Sequence, residues 1–168
     1  MAHSDIQVES ERRIGAQTLI RDSEGRVLLV QPTYRNALQL PGGAVHRNEQ
    51  VADAAMRELA EETGLHRLIT HHFGVDQIPP NPSTGAVEGY NFVCDGGIVT
   101  EAERAALSIP VGASQEIKVL EWVTVDELVE RAEPYMVARV LGALSLADHG
   151  LRQPLFYIGE PASERHAG

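Results

Sequence analysis

Three glutamates in the first half of the chain are spaced so that they could hold a divalent metal, and an arginine lies beside them. Glu58, Glu61 and Glu62 follow an i, i+3, i+4 pattern, so a helix would gather their carboxylates on one patch, with Arg57 in reach of Glu61. Like charges at this spacing repel one another. Because a hard cation such as Mg²⁺ binds carboxylate oxygens together with substrate phosphates, the pattern favours metal-dependent phosphate chemistry.

The plainer interpretation of this cluster is an acidic helix face exposed to solvent. The acids lie toward the end of the predicted helix, however, where the macrodipole disfavours negative charge, and no lysine lies between Gly42 and Leu65. Just before the helix, Gly42 and Gly43 follow Pro41 in a predicted turn, where a backbone without side chains can approach a ligand closely. We therefore expect a bound cation, with the Gly42 carbonyl as a further ligand.

The helix that carries these acids is predicted by the apolar residues around them. From about Glu49 to Thr63, the apolar positions recur at the spacing of one helical face: Ala52, Ala55, Met56 and Leu59. Gly64 follows at a position where glycine commonly ends a helix in the left-handed conformation. One face of the helix should enter the core, which leaves the acids on another face.

The whole stretch resembles the Nudix box, whose pattern is G-x5-E-x7-R-E-U-x-E-E-x-G-U, with U a bulky aliphatic residue. The chain matches every specified position of this pattern: Gly43, Glu49, Arg57, Glu58, Leu59, Glu61, Glu62, Gly64 and Leu65. The order of elements around the box is also similar to that of the family. The resemblance implies an α/β (α+β) fold, an α/β/α sandwich with a mixed β-sheet between helices.

The resemblance also implies a reaction on a small-molecule nucleoside diphosphate derivative. This reaction is the Mg²⁺-dependent hydrolysis of the pyrophosphate bond between the nucleotide and another moiety, as in ADP-ribose or a sugar nucleotide, and Mn²⁺ is a second candidate metal. Two alternatives stay open. One is hydrolysis of an oxidised nucleoside triphosphate, and the other is a nucleotide-binding regulatory module without catalytic activity.

The site residues implied by the resemblance divide by role. Metal ligands are expected at Gly42, Glu49, Glu58, Glu61 and Glu62, while Arg57 should orient the carboxylates. The family often places a further acid shortly before a tryptophan in a late strand, as a metal ligand or general base. Glu116 is the matching residue before Trp122, and Glu121 is its rival. The general base is therefore either Glu61 or Glu116.

Two predicted loops could contact the substrate together with Gly43. In the loop 31–36, Tyr34 could stack on a base and Arg35 could pair with a phosphate, unless the loop is simply exposed. The segment 77–85 is too rich in Pro, Asn and Gly for regular structure and is long enough to cover a substrate.

A proline in the second loop carries a further resemblance. The ADP-ribose-cleaving branch of the family has a proline about sixteen residues after the box glycine, and Pro79 or Pro80 falls there. We expect Pro80 to contact the substrate, and we expect the loop to govern which substrate is chosen.

The remaining sequence predicts the elements around the box. Strands are expected at 14–20, 26–30, 38–40, 65–75, 88–94 and 116–123. Helices are expected at 101–107, from an N-cap at Asp126, and at 135–149. In the last helix the packing face should consist of Val137, Val140, Leu141, Leu144 and Leu146.

Length and charge bound the domain count and the class of partner. The 168 residues, 43% of them hydrophobic, suit one domain, expected at 12–155 between a flexible N-terminus 1–11 and a tail 156–168. The net charge of −10 and the absence of any basic run disfavour a nucleic acid polymer or an anionic membrane as partner. A homodimer stays open.

The remaining sequence features indicate a cytoplasmic protein. Cys94 is the single cysteine, so no disulfide can form within the chain. The N-terminus lacks the apolar core of a signal peptide, and no run of apolar residues is long enough to span a membrane. His66, His71 and His72 match no closed zinc spacing.

Overall fold

Residues 11–162 are described by a computed structural model, and they form one central sheet with helices on both of its faces. The strands are β1 (Arg12–Arg21), β2 (Val27–Pro32), β3 (Gly42–Ala44), β4 (His71–Ile78), β5 (Glu88–Ile98), β6 (Ile117–Val123), β7 (Gln153–Pro154), β8 (Phe156–Tyr157) and β9 (Glu160–Pro161). The α-helices are α1 (Val51–Thr63), α2 (Glu101–Ala106), α3 (Val125–Arg131) and α4 (Pro134–Asp148), and a 3₁₀ turn spans Val111–Ala113. The expected flexible segment 1–11 lies outside the described residues except for Glu11, as does the end of the tail, 163–168.

The central sheet is mixed, as predicted. Its strand order is β6-β2-β1-β5-β4-β7, with β3 pairing with β1 off this path. Strands β1 and β5 run parallel, with Gln17 opposite Val93, whereas the other pairs are antiparallel. Strand β1 therefore lies at the centre, next to both the box glycines in β3 and the long strand β5.

Alternation along the strands divides the core between the two faces of the sheet. On one face, Ile20 and Leu28 pack against Leu59 of α1. On the other, Leu19 and Leu29 pack in one cluster with side chains of α3 and α4, among them Leu128, Met136 and Val140. Full burial of a side chain such as Leu59 contributes about 2 kcal/mol to folding. The expected α/β/α sandwich is confirmed.

Two segments near the box differ from the sequence-based expectation. The strand expected at 65–75 begins only at His71, because the Leu65 N–H donates to the Thr63 hydroxyl at 3.1 Å in a local bond that no strand ladder supplies. Gly42 and Gly43 form strand β3 on β1, where a turn was expected. Gly42 adopts φ 143°, a conformation that glycine allows.

Two helices also differ in detail from the prediction. Helix α3 begins after Thr124, whose hydroxyl accepts from the Glu127 N–H in a capping box, so Asp126 is not the N-cap. Helix α4 buries Met136, Arg139, Val140 and Ala143, whereas Leu141 is 38% exposed. The expected packing face is otherwise confirmed, because four of its five residues lie in or against the core cluster: Val137, Val140, Leu144 and Leu146.

Strand β6 departs from strict alternation. The register with β2 shifts between Gln31 and Pro32, so Ile117 and Leu120 pack in the same cluster although three positions separate them.

Among residues 11–162, no helix has both the length and the apolar character needed to cross a membrane.

Two glycines should respond in opposite ways to alanine. Gly64 ends α1 at φ 72°, so Gly64→Ala should lower the free energy of unfolding by about 1 kcal/mol. Gly142 lies inside α4 with open space at its Cβ position, so Gly142→Ala should raise it by about 0.5–1 kcal/mol. Urea unfolding of both variants measures this, and a stabilising Gly64→Ala would contradict the helix end.

Candidate active site

The buried carboxylate of Glu62 separates this site from an ordinary acidic helix face. Helix α1 turns Glu62 inward and leaves it 9% exposed, while the side chain of Glu61 stays 59% exposed. The Gly42 N–H donates to Glu62 Oε2 at 2.8 Å. One neutral donor does not replace the water that a carboxylate loses on burial, so the charged form is penalised.

The pKa of Glu62 depends on its burial and on the acids around it. Burial, and then the negative charges of Glu58, Glu116 and Glu61, raise the pKa of Glu62 to about 8, although the Gly42 N–H opposes the shift. Glu116 therefore lies close to the box acids in space despite its distance in sequence. The fold therefore places Glu58, Glu61 and Glu116 within electrostatic range of Glu62.

The backbone of β3 directs Gly42 toward Glu62. The Pro41 carbonyl accepts from the Thr18 N–H and the Val45 N–H donates to the Ile14 carbonyl, both at 2.9 Å, so these flanking residues face β1. Successive residues of a strand point their backbone groups to opposite sides. The Gly42 N–H accordingly points away from β1, to Glu62.

Arg57 is the cation that holds the acidic cluster in place. Its Nε and Nη2 donate to both oxygens of Glu49 at 2.7 and 3.0 Å, and Nη1 donates to Glu58 at 2.7 Å and to Glu61 at 3.2 Å. Nη2 also donates to the Ala44 carbonyl at 3.1 Å. These five bonds occupy all five N–H groups of the guanidinium, so Arg57 orients carboxylates and has no donor left for a substrate.

Glu49 belongs to the same network. Its bonds to Arg57, together with the N–H of His46 that donates to Oε2 at 2.8 Å, lower the pKa of Glu49 to about 2. Both carboxylate oxygens are therefore engaged within the protein. In this arrangement Glu49 supports Arg57, and it would have to exchange these bonds to bind a metal.

Glu121, the rival of Glu116, is engaged at another place. Two N–H groups of Arg131 donate to its two oxygens at 2.6 Å each and lower the pKa of Glu121. The backbone of Glu116, in contrast, is bonded to the 3₁₀ turn and to the loop 31–36, because its N–H donates to the Ala113 carbonyl at 2.9 Å and its carbonyl accepts from the Thr33 N–H at 2.8 Å.

The donor set fits a hard divalent cation in kind. As the side chains of residues 11–162 stand, no three acidic, histidine or cysteine residues are grouped to hold a metal ion. The carboxylates of Glu58, Glu61 and Glu62 and the Gly42 carbonyl are nevertheless the hard oxygens that Mg²⁺ prefers. A cation among them would also offset the electrostatic cost of ionising buried Glu62.

A cleft of about 540 Å³ opens beside the box glycines. Its lining includes three residues that we expected at the substrate site: Tyr34, Arg35 and Gly43. Pro79 and Asn81 also line it, whereas Pro80 is exposed outside the lining. The Arg35 Nη1 donates to the Tyr135 hydroxyl at 3.0 Å, which ties the loop 31–36 to helix α4 across the mouth of the cleft.

The far wall of the cleft contains residues that sequence reasoning missed. Gln17 of β1, Asn91 of β5 and Arg139 of α4 are buried polar residues of its lining. Arg139 carried a usable signal, because it lies on the apolar stripe with Met136 and Val140 and a buried arginine needs partners. Those partners lie far away in sequence, so no local pattern predicts them.

A family model described as the NUDIX domain matches residues 11–140. The chain belongs to the Nudix family. A solved structure titled NUDIX hydrolase, from Nitrosomonas europaea, has a TM-score of 0.67 at 21% identity and covers 89% of this chain and 100% of that one, which supports the fold alone.

Two curated relatives of this Nudix chain have different names. It is 31% identical over 87 residues to a putative 8-oxo-dGTP diphosphatase of Bacillus subtilis, covering 49% of this chain and 58% of that protein. It is 32% identical over 79 residues to an ADP-ribose pyrophosphatase of Methanocaldococcus jannaschii, covering 45% and 47%. The chain thus spans about half the length of these relatives.

Replacing Glu62 should stabilise this Nudix domain when metal is absent. Because the folded-state pKa is raised from 4.5 to about 8, the folded protein binds the proton more tightly than the unfolded chain, and stability falls as pH rises through this range. Glu62→Gln does not titrate and keeps an oxygen for the Gly42 N–H. In EDTA at pH 8 it should raise the unfolding free energy by about 2 kcal/mol, with little gain at pH 4.

Saturating Mg²⁺ should make the wild type more stable than the Glu62→Gln variant. A ligand at a hundred times its Kd adds about 2.7 kcal/mol to the wild type, and the variant should gain less. The same change at Glu130, which is exposed on α3, is the control and should be silent at every pH. A Glu62→Gln variant less stable than wild type at pH 8 without metal would contradict the buried, penalised carboxylate.

Proposed function

We propose that the protein is a Mg²⁺-dependent hydrolase of a nucleoside diphosphate linked to another moiety, of the sugar-nucleotide or ADP-ribose type. The observation that carries the proposal is buried Glu62, which accepts from the Gly42 N–H and lies within range of the negative charges of Glu58, Glu61 and Glu116. This cluster lies beside Gly42, which also lines the cleft of about 540 Å³. A cleft of this size suits a small nucleotide derivative.

The metal would be held by Glu58, Glu61, Glu62 and the Gly42 carbonyl, with Mn²⁺ as a possible substitute. When bound, Mg²⁺ would neutralise pyrophosphate oxygens and lower the pKa of water. Arg57 keeps Glu58 and Glu61 at this patch. Gly43 leaves the space that Glu58 needs, because a Cβ at this position would lie 2.6 Å from Glu58 Oε1.

The proton of the attacking water would pass to Glu116. Water oxygen forms a bond to one phosphorus, the bond from that phosphorus to the bridging oxygen breaks, and the products are a nucleoside monophosphate and the phosphorylated second moiety. Glu116 is near Glu62, and Arg57 bonds none of its oxygens, whereas Glu61 is held by Arg57 at 3.2 Å. A general base needs such a free carboxylate within reach of the water.

The substrate would lie between the loops. Tyr34 is 74% exposed at the cleft and offers a face for a nucleobase, while Arg35 offers a planar donor fork for phosphate. The segment after β4 closes the other side through Pro79 and Asn81. The loops thus bind and orient, and the chemistry stays on α1 and at Glu116.

An oxidised nucleoside triphosphate is the second candidate substrate. The name of the Bacillus subtilis relative favours it, and the same acids would serve. The products differ, because a triphosphate cleaved to a monophosphate releases pyrophosphate. The complete set of box acids disfavours the third alternative, a binding module without activity.

Turnover of a substrate panel tests the proposal directly. Purified protein is incubated with 5 mM Mg²⁺ or with EDTA and sugar nucleotides, ADP-ribose and 8-oxo-dGTP, and nucleotide products are separated by chromatography. We expect a nucleoside monophosphate plus a sugar phosphate, and no reaction in EDTA. Release of pyrophosphate from 8-oxo-dGTP alone would move the activity to the second candidate, and no turnover of any substrate would refute the hydrolase assignment.

Two glutamates in and near β6 provide a matched pair for the general base. Glu116→Gln should lower kcat by about a hundredfold or more, the typical weight of a positioned proton acceptor. Glu121→Gln removes only the ion pair with Arg131 and should leave kcat close to wild type. Steady-state kinetics at saturating Mg²⁺ measures both. A silent Glu116→Gln would move the role to Glu61.

A further inference from the structure

We infer that the far wall of the cleft selects nucleobases with a carbonyl oxygen at purine position 6 or pyrimidine position 4 (guanine, uracil) over those with an amino group at that position (adenine, cytosine). This rests on the proposed function, since it assumes that a nucleotide base enters the cleft, and within that function it favours a sugar nucleotide of guanine or uracil over ADP-ribose. The selecting residues are Gln17 and Asn91, whose amide NH₂ groups are hydrogen-bond donors, and Arg139 orients Gln17.

These three residues are polar groups buried in one wall of an open cleft. Gln17 and Arg139 are each 9% exposed and Asn91 is 4% exposed, and all three line the cleft. Buried polar atoms normally have hydrogen-bond partners inside the protein. Here the inward-facing oxygens have partners in the protein, and nitrogen atoms are left for a ligand.

The amide of Gln17 is oriented by an arginine. Nη1 of Arg139 donates to Gln17 Oε1 at 2.6 Å. Because a guanidinium has no acceptor, only the oxygen of the amide can face it, whichever way the amide is first assigned. The Gln17 NH₂ group is therefore turned away from Arg139, and it has no hydrogen-bond partner among residues 11–162.

Arg139 itself is fixed and keeps an unused donor. Its Nε donates to Asp76 Oδ2 at 2.8 Å, and the Tyr135 ring lies 5.4 Å from its guanidinium carbon. Its Nη2 lies 2.7 Å from the same Asp76 oxygen as an ion pair, yet this buried nitrogen has no well-directed acceptor in the described part of the chain. This nitrogen has almost no accessible surface, so Arg139 acts on the cleft by orienting Gln17.

Asn91 on the neighbouring strand β5 is oriented in the same way as Gln17, by an arginine that donates to its amide oxygen. Nη2 of Arg13 lies 3.5 Å from Asn91 Oδ1, a long bond that still places the oxygen toward a group that can only donate. Gly15 on β1 leaves room for this amide, because a Cβ at Gly15 would collide with Asn91 Oδ1. The Asn91 NH₂ group thus has no acceptor within residues 11–162.

The resulting wall is rich in donors and complements carbonyl oxygens. Guanine presents O6 and N7, and uracil presents O4, as acceptors, whereas adenine and cytosine present N6 and N4 amino donors at the matching positions. Donor facing donor leaves both groups without a partner, which costs about ten- to a hundredfold in binding. Asp76, the carboxylate bonded to Arg139, is not part of this cleft's lining.

Matched sugar nucleotides test the preference. UDP-glucose against CDP-glucose, and GDP-glucose against ADP-glucose, keep the sugar and both phosphates constant, and kcat/KM with Mg²⁺ is measured for each. We expect the carbonyl-bearing member to be preferred by at least about tenfold in each pair. Equal values, or a preference for CDP-glucose and ADP-glucose, would overturn the inference.

Calorimetry with UMP and CMP separates this inference from the proposed function. The affinities for the two monophosphates need no turnover and are measured in EDTA. Tighter binding of UMP without hydrolysis of any sugar nucleotide would refute the hydrolase and keep the base preference. Hydrolysis of a sugar nucleotide with equal affinities for UMP and CMP would keep the hydrolase and refute the base preference.

A charge-changing amide variant identifies the residue. Gln17→Glu keeps an oxygen toward Arg139 and replaces the NH₂ donor by an acceptor, so the UDP/CDP ratio of kcat/KM should fall about tenfold or more. The added charge acts equally on both members of a pair and cancels in the ratio. Gln153→Glu, exposed on β7, is the matched control and should leave the ratio unchanged.

Asn91→Asp makes the same exchange on β5 and serves if Gln17→Glu does not fold, as judged by its thermal transition. Its UDP/CDP ratio should fall in the same direction. An unchanged ratio in a folded variant at either position would overturn the assignment of these amides.

Discussion

The site depends on keeping one carboxylate out of water beside others of the same charge. Glu62 is buried, accepts a single N–H from Gly42 and is surrounded by Glu58, Glu61 and Glu116. Folding alone does not compensate this arrangement, because desolvation and repulsion both favour the neutral acid. A divalent cation bound with the substrate phosphates would offset both costs, so the domain is built for a ligand that carries positive charge.

Much of the surrounding structure keeps this arrangement from relaxing. Arg57 uses all of its donors on the box acids and on β3, which fixes Glu58 without neutralising Glu62. A Cβ at Gly43 would meet the Glu58 carboxylate, and one at Gly42 would meet the backbone of β1, so close approach of strand and helix requires glycine. The opposite wall of the cleft differs, because buried Arg139 bonds the Gln17 oxygen and so turns the NH₂ group of Gln17 away from itself.

The acidic half of the site was predictable from the sequence and the donor half was not. Helix α1 carries its apolar stripe and its acids within one short window, so spacing alone places Glu58, Glu61 and Glu62 together. Gln17 and Arg139 are 122 positions apart and meet only through the order of the strands. Likewise, β6 has a bulge opposite Pro32 of β2, which puts Ile117 and Leu120 on the same face of the sheet. Strict alternation along β6 would predict opposite faces for these two residues.

The most direct test of this account is a crystal structure grown with Mn²⁺ and measured at the manganese absorption edge. We predict an anomalous peak within about 2.5 Å of carboxylate oxygens of Glu58 and Glu62 and of the Gly42 carbonyl, where a small divalent cation binds oxygen. Manganese found only at other carboxylates, with Glu62 still bonded to the Gly42 N–H alone, would contradict it.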